Sequence, residues 1–170
     1  MRYIKIIALL LVFSSCATKV PFTSDIQNKH KFSEETLKKV QFYTSEEIVL
    51  YLVKQDGDVV VNEGKIIFRN DEQVQKIVIK KNTPCVLEEI VEQNKFLFSF
   101  EYGKDRVLLF GNNHNGYYSL MAKEWKNKVG EVSYGNKTYL TANGNVYLNV
   151  KMKELNRVNA KQRTVKGRKI

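Results

Sequence analysis

The sequence is poor in the residues that staple a fold, interrupt it or hold a metal ion. Its 170 residues include two cysteines, two prolines and two histidines. The histidines are isolated, and no carboxylates stand around them at the spacing of a zinc or calcium site. A glycine-rich phosphate loop is also missing. We therefore predict no metal site and no cofactor, and we assign no catalytic residue.

Long apolar runs are scarce as well. At the N-terminus, Arg2 and Lys5 precede an apolar run of eight residues, 6–13. A segment that spans a bilayer needs about 20 apolar residues, so this run is too short to remain as a transmembrane helix. A short basic region followed by a core of this length is typical of a signal peptide that is removed.

The end of this segment reads Phe13-Ser14-Ser15-Cys16. It resembles the lipobox of bacterial lipoproteins, with Phe13 where the family usually has Leu. The resemblance implies a signal peptide over residues 1–15, cleavage before Cys16 and diacylation of the Cys16 sulfur. Several acyl chains hold a protein on a membrane stably, whereas one does not. Because Ala17 stands where Asp would signal inner-membrane retention, the resemblance implies an outer-membrane lipoprotein that faces the periplasm.

With Cys16 acylated, Cys85 is left without a partner for a disulfide, and a lone thiol in an oxidising compartment is safest when buried. Two stretches, "VPFTSDI" and "QFYTSEEIVL", resemble the small lipoproteins of Bacteroidetes-type bacteria. That group implies no particular activity.

The positive charge of the chain is concentrated at its C-terminus. The formal net charge is +10, and residues 151–170 carry eight basic residues and one acidic residue, whereas residues 16–150 carry about +1. We predict a basic tail over 153–170, either solvated or docked as a final strand. Nucleic acid is excluded as a partner for an envelope protein, which leaves phospholipid, lipopolysaccharide or an acidic protein. The candidate binding residues of the tail are Arg163, Lys166, Arg168 and Lys169.

The middle of the chain predicts one short helix and many strands. Residues 16–31 are polar and predict a tether, and in residues 32–40 Ser33 is a candidate cap for a helix. Alternating apolar residues in 95–102 place Phe96, Phe98, Phe100 and Tyr102 on one face of a strand. Eleven segments are candidate strands, of which about nine or ten are expected to form, with glycine and asparagine turns between them. The predicted strand segments are 48–53, 58–61, 65–68, 74–80, 85–92, 95–102, 106–110, 117–122, 130–134, 137–141 and 145–152.

This rhythm of short strands predicts a mainly β domain over residues 32–152, either an antiparallel sandwich or a barrel. No room remains for the crossover helices of a parallel α/β fold. Residues 83–111 resemble the small SH3-like barrels, and that resemblance implies a fold and no activity.

Two kinds of candidate site remain. Exposed aromatic residues beside lysines suit the binding of a protein or glycan, and Trp125, Tyr117 and Tyr118 are the candidates. The alternative is that these rings pack in the core, which for Trp125 is the favoured interpretation. Alternatively, Cys85 and His114 form the thiol–imidazole pair of a small hydrolase, which requires them to lie within hydrogen-bond reach. The sequence favours a membrane-anchored, non-catalytic binding or accessory module of the cell envelope, with the hydrolase as the alternative.

Overall fold

A computed structural model describes residues 18–52, 59–62, 65–68 and 75–162. These residues form a mainly β, sandwich-like fold of antiparallel sheets, as the sequence predicted. Among the helices of the described residues, none combines the length and the apolar character that crossing a membrane requires.

The larger sheet has seven strands in the described part of the chain, and every neighbouring pair is antiparallel. Its strands, in spatial order, are β1 (Lys19–Pro21), β14 (Leu148–Lys151), β2 (Phe42–Thr44), β7 (Pro84–Glu92), β8 (Lys95–Ser99), β9 (Val107–Asn112) and β10 (Tyr118–Leu120).

The second sheet has five strands within the same described ranges, and its strand β12 contacts β9 of the larger sheet. Its order is β11 (Trp125–Lys126), β12 (Val129–Tyr134), β13 (Lys137–Thr141), β3 (Ile48–Leu52) and β6 (Lys76–Ile79). A separate hairpin pairs β4 (Val59–Asn62) with β5 (Lys65–Phe68).

The larger sheet curls until its last strand approaches its first. Isolated bridges join Ser119 to Tyr147 and Tyr117 to Thr23. The Leu120 N–H donates to the Val146 carbonyl at 2.8 Å, beside β14. The curl supplies β10 with backbone partners on both sides, so that this strand is not left as an open edge.

Aromatic rings fill the space inside the curled sheet. Phe22, Phe42, Phe96, Phe98 and Tyr118 are each at most 2 % exposed. Phe22 stacks on Tyr118 with ring centroids 5.1 Å apart and meets Phe42 edge-on at 5.2 Å. Such offset and edge-to-face pairs contribute beyond the burial of area alone.

The strand patterns confirm most of the predicted faces. Phe96 and Phe98 point inward from β8, and Leu148 and Val150 point inward from β14. The prediction is wrong for Tyr102, which is fully exposed because β8 ends at Ser99 and the chain turns there. Alternation predicts a face only for as long as the strand continues.

The N-terminal segment differs from the predicted tether. Residues 19–21 form β1, Phe22 is fully buried, and α1 (Ser24–His30) follows. A second helix, α2 (Glu34–Leu37), is capped by the predicted Ser33, whose side chain accepts the Thr36 N–H at 3.3 Å. The prediction of a helix through residue 40 is wrong, since the last part of that segment is turn and leads into β2.

The first part of the predicted basic tail is helical. Helix α3 (Met152–Gln162) follows β14 directly, and Leu155 and Val158 are buried at 0 % and 8 % exposure. The alternative of a docked strand is therefore wrong over this range. Apolar residues three apart share one helix face, which packs on the core. Residues 163–170 lie outside the described residues.

Candidate functional site

The structure describes the three aromatic candidates, Cys85 and His114. The proposed lipidation residue Cys16 lies outside the described residues. The four tail candidates do as well, and these are Arg163, Lys166, Arg168 and Lys169.

Trp125 lies on the short edge strand β11, where it pairs with Gly130 of β12. Asn127 and Lys128 form the two-residue connection between these strands and have positive φ angles of 50° and 65°. Two positive φ values suit the right-handed twist of a two-residue hairpin, and asparagine tolerates them well. The hairpin therefore fixes the position of Trp125 through its backbone.

The indole of Trp125 rests on two glycines. A Cβ atom added at Gly130 would lie 2.8 Å from the indole atoms Cε3 and Cζ3, and one added at Gly144 would lie 2.9 Å from Cη2. Only glycine lets a ring approach the backbone this closely. Trp125 nevertheless remains 39 % exposed, so the alternative of complete burial in the core is wrong for this residue.

Three lysines stand near Trp125 in the sequence. Lys123, Lys126 and Lys128 are all exposed, and the Lys123 ammonium lies 3.8 Å from the Glu131 carboxylate. A rigid, partly exposed indole offers a flat apolar surface and one N–H donor, and it loses little entropy on binding. This arrangement suits the binding of a protein loop or of the apolar face of a sugar, and it contains no reactive group.

We expect Gly130→Ala to displace the indole of Trp125. The new Cβ would also lie 2.6 Å from the Ala122 Cβ, and neither neighbour is a flexible chain end. Because Trp125 is the single tryptophan of the chain, its fluorescence reports the change directly. The emission maximum should shift to longer wavelength, and the free energy of unfolding should fall by about 1–3 kcal/mol. Ser133→Ala, at an exposed position of the same strand, is the control. An unchanged spectrum for Gly130→Ala would show that the indole does not pack against Gly130.

The two neighbouring tyrosines differ in role. Tyr117 is half-buried and stacks on Tyr147 with ring centroids 5.0 Å apart. Tyr118 is fully buried and donates its hydroxyl to Asn94 Oδ1 at 3.0 Å. Its prediction as a binding residue is wrong, because consecutive residues of a strand point to opposite faces and Tyr118 takes the inner one.

The buried phenol makes stability depend on alkaline pH. Burial raises the pKa of Tyr118 to about 12 from an ordinary value of 10.0. The contribution of the protonated Tyr118 phenol to the free energy of unfolding is fully present below pH 10. Above it, the unfolded chain releases this proton and the folded chain keeps it, so the free energy of unfolding falls by about 1 kcal/mol per pH unit up to about pH 12.

Urea titrations between pH 8 and 12 measure this slope. Tyr118→Phe should reduce this slope by the share of one phenol, at a cost of about 1 kcal/mol at neutral pH for the lost hydrogen bond. The remaining slope comes from Tyr134 and Cys85, whose pKa values burial also raises. Tyr102→Phe, at a fully exposed site, should leave the slope unchanged. Equal slopes in wild type and Tyr118→Phe would refute the assignment.

Cys85 and His114 are not brought together. Cys85 lies at the start of β7, next to Val86, which pairs with Ser99 at one end of β8. His114 follows β9 beyond Gly111, which pairs with Lys95 at the other end of β8. Burial also raises the pKa of the Cys85 thiol well above its ordinary value, so the thiolate is disfavoured. His114 lies in an exposed turn.

A groove of about 540 Å³ lies between the sheets, and no pattern in the sequence predicts it. Its lining combines apolar residues with charged ones and includes no histidine or cysteine among the described residues. Both β9 and β12 contribute, so the groove depends on how two sheets pack, which strand alternation does not encode. Its lining includes Leu97, Val107, Leu109, Met121, Lys123 and Glu131.

Across the described ranges, no three His, Cys, Asp or Glu side chains are grouped as a metal ion would require. No protein-family model matches the chain, and neither does a curated protein or a solved structure. The chemistry of the site is therefore argued from its own geometry.

Proposed function

We propose that this chain is an outer-membrane lipoprotein, anchored through acylated Cys16, whose folded body is a non-catalytic binding or accessory module of the periplasmic face. The observation that carries the proposal is the apolar segment of eight residues, 6–13, which Ser14-Ser15-Cys16 follows directly. In the proposed step, the Cys16 thiol loses its proton and forms a thioether with a diacylglyceryl group, and the phosphate headgroup of the donor phospholipid leaves with that proton.

The start of the folded body supports this placement. Strand β1 begins at Lys19, three residues after Cys16. Three extended residues reach roughly 10 Å, so a bilayer anchor at Cys16 holds the body close to the headgroups. A module held this way acts beside the membrane, without the reach that a long flexible linker provides.

The exposed indole supports binding as the activity. Trp125 is presented on a rigid hairpin with exposed lysines nearby in sequence, and aromatic anchors of this kind dominate the binding energy of many interfaces. The fitting partner is an envelope protein or a glycan. The burial of Cys85 and its separation from His114 along the sheet give the hydrolase no support.

Acylation is tested on the full chain expressed in a Gram-negative host. Wild type should incorporate labelled palmitate, globomycin should block its processing, and mass spectrometry should find Cys16 as the acylated N-terminus. Cys16→Ser should abolish the label and move the protein out of the membrane fraction. Cys85→Ala is the matched cysteine control and should keep the label. A processed chain that starts elsewhere, or carries no acyl group, would overturn the anchor.

Binding is tested separately, by affinity isolation from cross-linked envelopes and by co-sedimentation with purified peptidoglycan. A true ligand of the indole surface is lost on Trp125→Ala and retained on Tyr102→Ala, an equally aromatic but unsupported surface position. If every captured species and all glycan binding survive Trp125→Ala, the indole is not the binding surface.

A further inference from the structure

The outer face of the larger sheet brings two lysines close to one tyrosine ring. The Lys19 ammonium lies 3.8 Å from the centroid of the Tyr43 ring, and the Lys151 ammonium lies 5.3 Å from it. Lys19 of β1 stands directly opposite Lys151 of β14, and Tyr43 of β2 stands opposite Asn149 on the far side of β14. We call these three residues the Lys19–Tyr43–Lys151 face.

The direct pairing of Lys19 with Lys151 brings two positive charges together, which costs stability. Like charges directly opposite each other in an antiparallel sheet destabilise it. The Tyr43 ring offsets part of the repulsion, the Lys19 ammonium donates to Asn82 Oδ1 at 3.1 Å, and Glu154 lies 3.7 Å from the Lys151 ammonium. One Glu154 oxygen also accepts the Gln41 N–H at 3.2 Å, so this carboxylate is shared. A surface that retains two facing cations is prepared for an external anion.

The surroundings of the face are apolar as well as basic. Pro84 pairs with Tyr43 in the sheet and is exposed. Val86, two residues further along β7 on the same side, is 40 % exposed. Lysine ammonium groups beside a tyrosine and small apolar side chains match the headgroup region of a bilayer, where tyrosine rings collect and lysine stems lie along apolar surface.

We propose that the Lys19–Tyr43–Lys151 face lies flat against anionic phospholipid headgroups and orients the folded body on the membrane. The inference deepens the proposed function and rests on it, because Lys19 is three residues from Cys16 and an anchor there brings this face to the bilayer. The two ammonium groups contact lipid phosphates, and Tyr43 lies at the level of the headgroups. The exposed Trp125 lies on an edge strand of the other sheet, where it stays available to a partner.

Lysine labelling on vesicles tests this orientation. The full chain is mixed with vesicles of phosphatidylcholine alone or with 40 mol % phosphatidylglycerol, floated, and treated briefly with an acetylating reagent. Labelling of Lys19 and Lys151 should fall several-fold on the anionic vesicles relative to the neutral ones, and 0.5 M salt should restore it. Lys104 and Lys126, exposed elsewhere, should be labelled equally on both. Inorganic phosphate at the same concentration should give no protection.

A pair of charge-matched variants completes the test. Lys81 is exposed and precedes Asn82, whose Oδ1 accepts a hydrogen bond from Lys19, so lipid at the face should protect Lys81 as well. Lys19→Glu/Lys151→Glu should remove this lipid-dependent protection of Lys81, whereas Lys104→Glu/Lys126→Glu should keep it. Equal labelling of Lys19 and Lys151 on both vesicle types would overturn the orientation even if the chain is acylated. A chain without acyl groups would overturn the anchor, and the same labelling on excess vesicles would still decide whether this face meets anionic lipid.

Discussion

Phe22→Ala should lower the free energy of unfolding by about 3–5 kcal/mol, the range for a large aromatic truncated in a packed core. Phe22 is fully buried and contacts both Tyr118 and Phe42 inside the curled sheet. Its backbone N–H also donates to the Leu148 carbonyl at 2.8 Å. Urea unfolding followed by circular dichroism measures the loss.

Tyr102→Ala is the matched control, since Tyr102 is fully exposed and its truncation should stay within about 0.5 kcal/mol of wild type. A Phe22→Ala protein as stable as the Tyr102→Ala protein would show that residues 19–23 do not hold the sheet together. The expected loss means that the segment just after Cys16 is part of the core, so the proposed anchor would join the folded body without a flexible linker.

Local patterns predicted the strands that could be read from neighbours in sequence. The β12–β13 hairpin turns at Gly135-Asn136 and pairs Tyr134 with Lys137, as expected. The inward faces of β8 and β14 follow from alternation over four or more residues. A two-residue turn and a period of two are properties of a short window, so one sequence is enough to find them.

Long-range pairing was not predictable in this way. Strand β1 has three residues, too few for a pattern, and its partner Lys151 lies 132 positions from Lys19. Helix α3 was not predicted because its segment is rich in charged residues, although Met152, Leu155 and Val158 stand at helical spacing. The lysines of that segment favoured a solvated tail, and helix formation was decided by burial of the apolar stripe.

The candidate site was predicted in one part and missed in the other. Lysines on both sides of Trp125 in the sequence indicate an exposed ring, whereas its large apolar surface favours the core. The structure decides for partial exposure. The packing of the ring on two glycines could not be predicted, because Gly144 comes from a loop nineteen residues further along the chain. The Lys19–Tyr43–Lys151 face joins three distant strands, and only the sheet order brings them together.

Leu155→Ala should lower the free energy of unfolding by about 2–5 kcal/mol, since Leu155 is fully buried where α3 packs on the core. Asn156→Ala, at the neighbouring exposed position, is the control and should change it by less than about 0.5 kcal/mol. Urea unfolding compares the two. Equal stability of both variants would mean that α3 is a surface attachment.

The same helix connects the stability of the fold to the Lys19–Tyr43–Lys151 face. Glu154 of α3 pairs with Lys151 and accepts the Gln41 N–H, so a helix loosened by Leu155→Ala also releases part of the compensation between the facing lysines. Lysine labelling of the Leu155→Ala protein, free of vesicles, should therefore rise at Lys151 and stay constant at Lys104. Because the repulsion between Lys19 and Lys151 is then less offset, anionic vesicles should stabilise Leu155→Ala more than they stabilise wild type. If vesicles stabilise both proteins equally, α3 does not influence the Lys19–Tyr43–Lys151 face and contributes only to the stability of the fold.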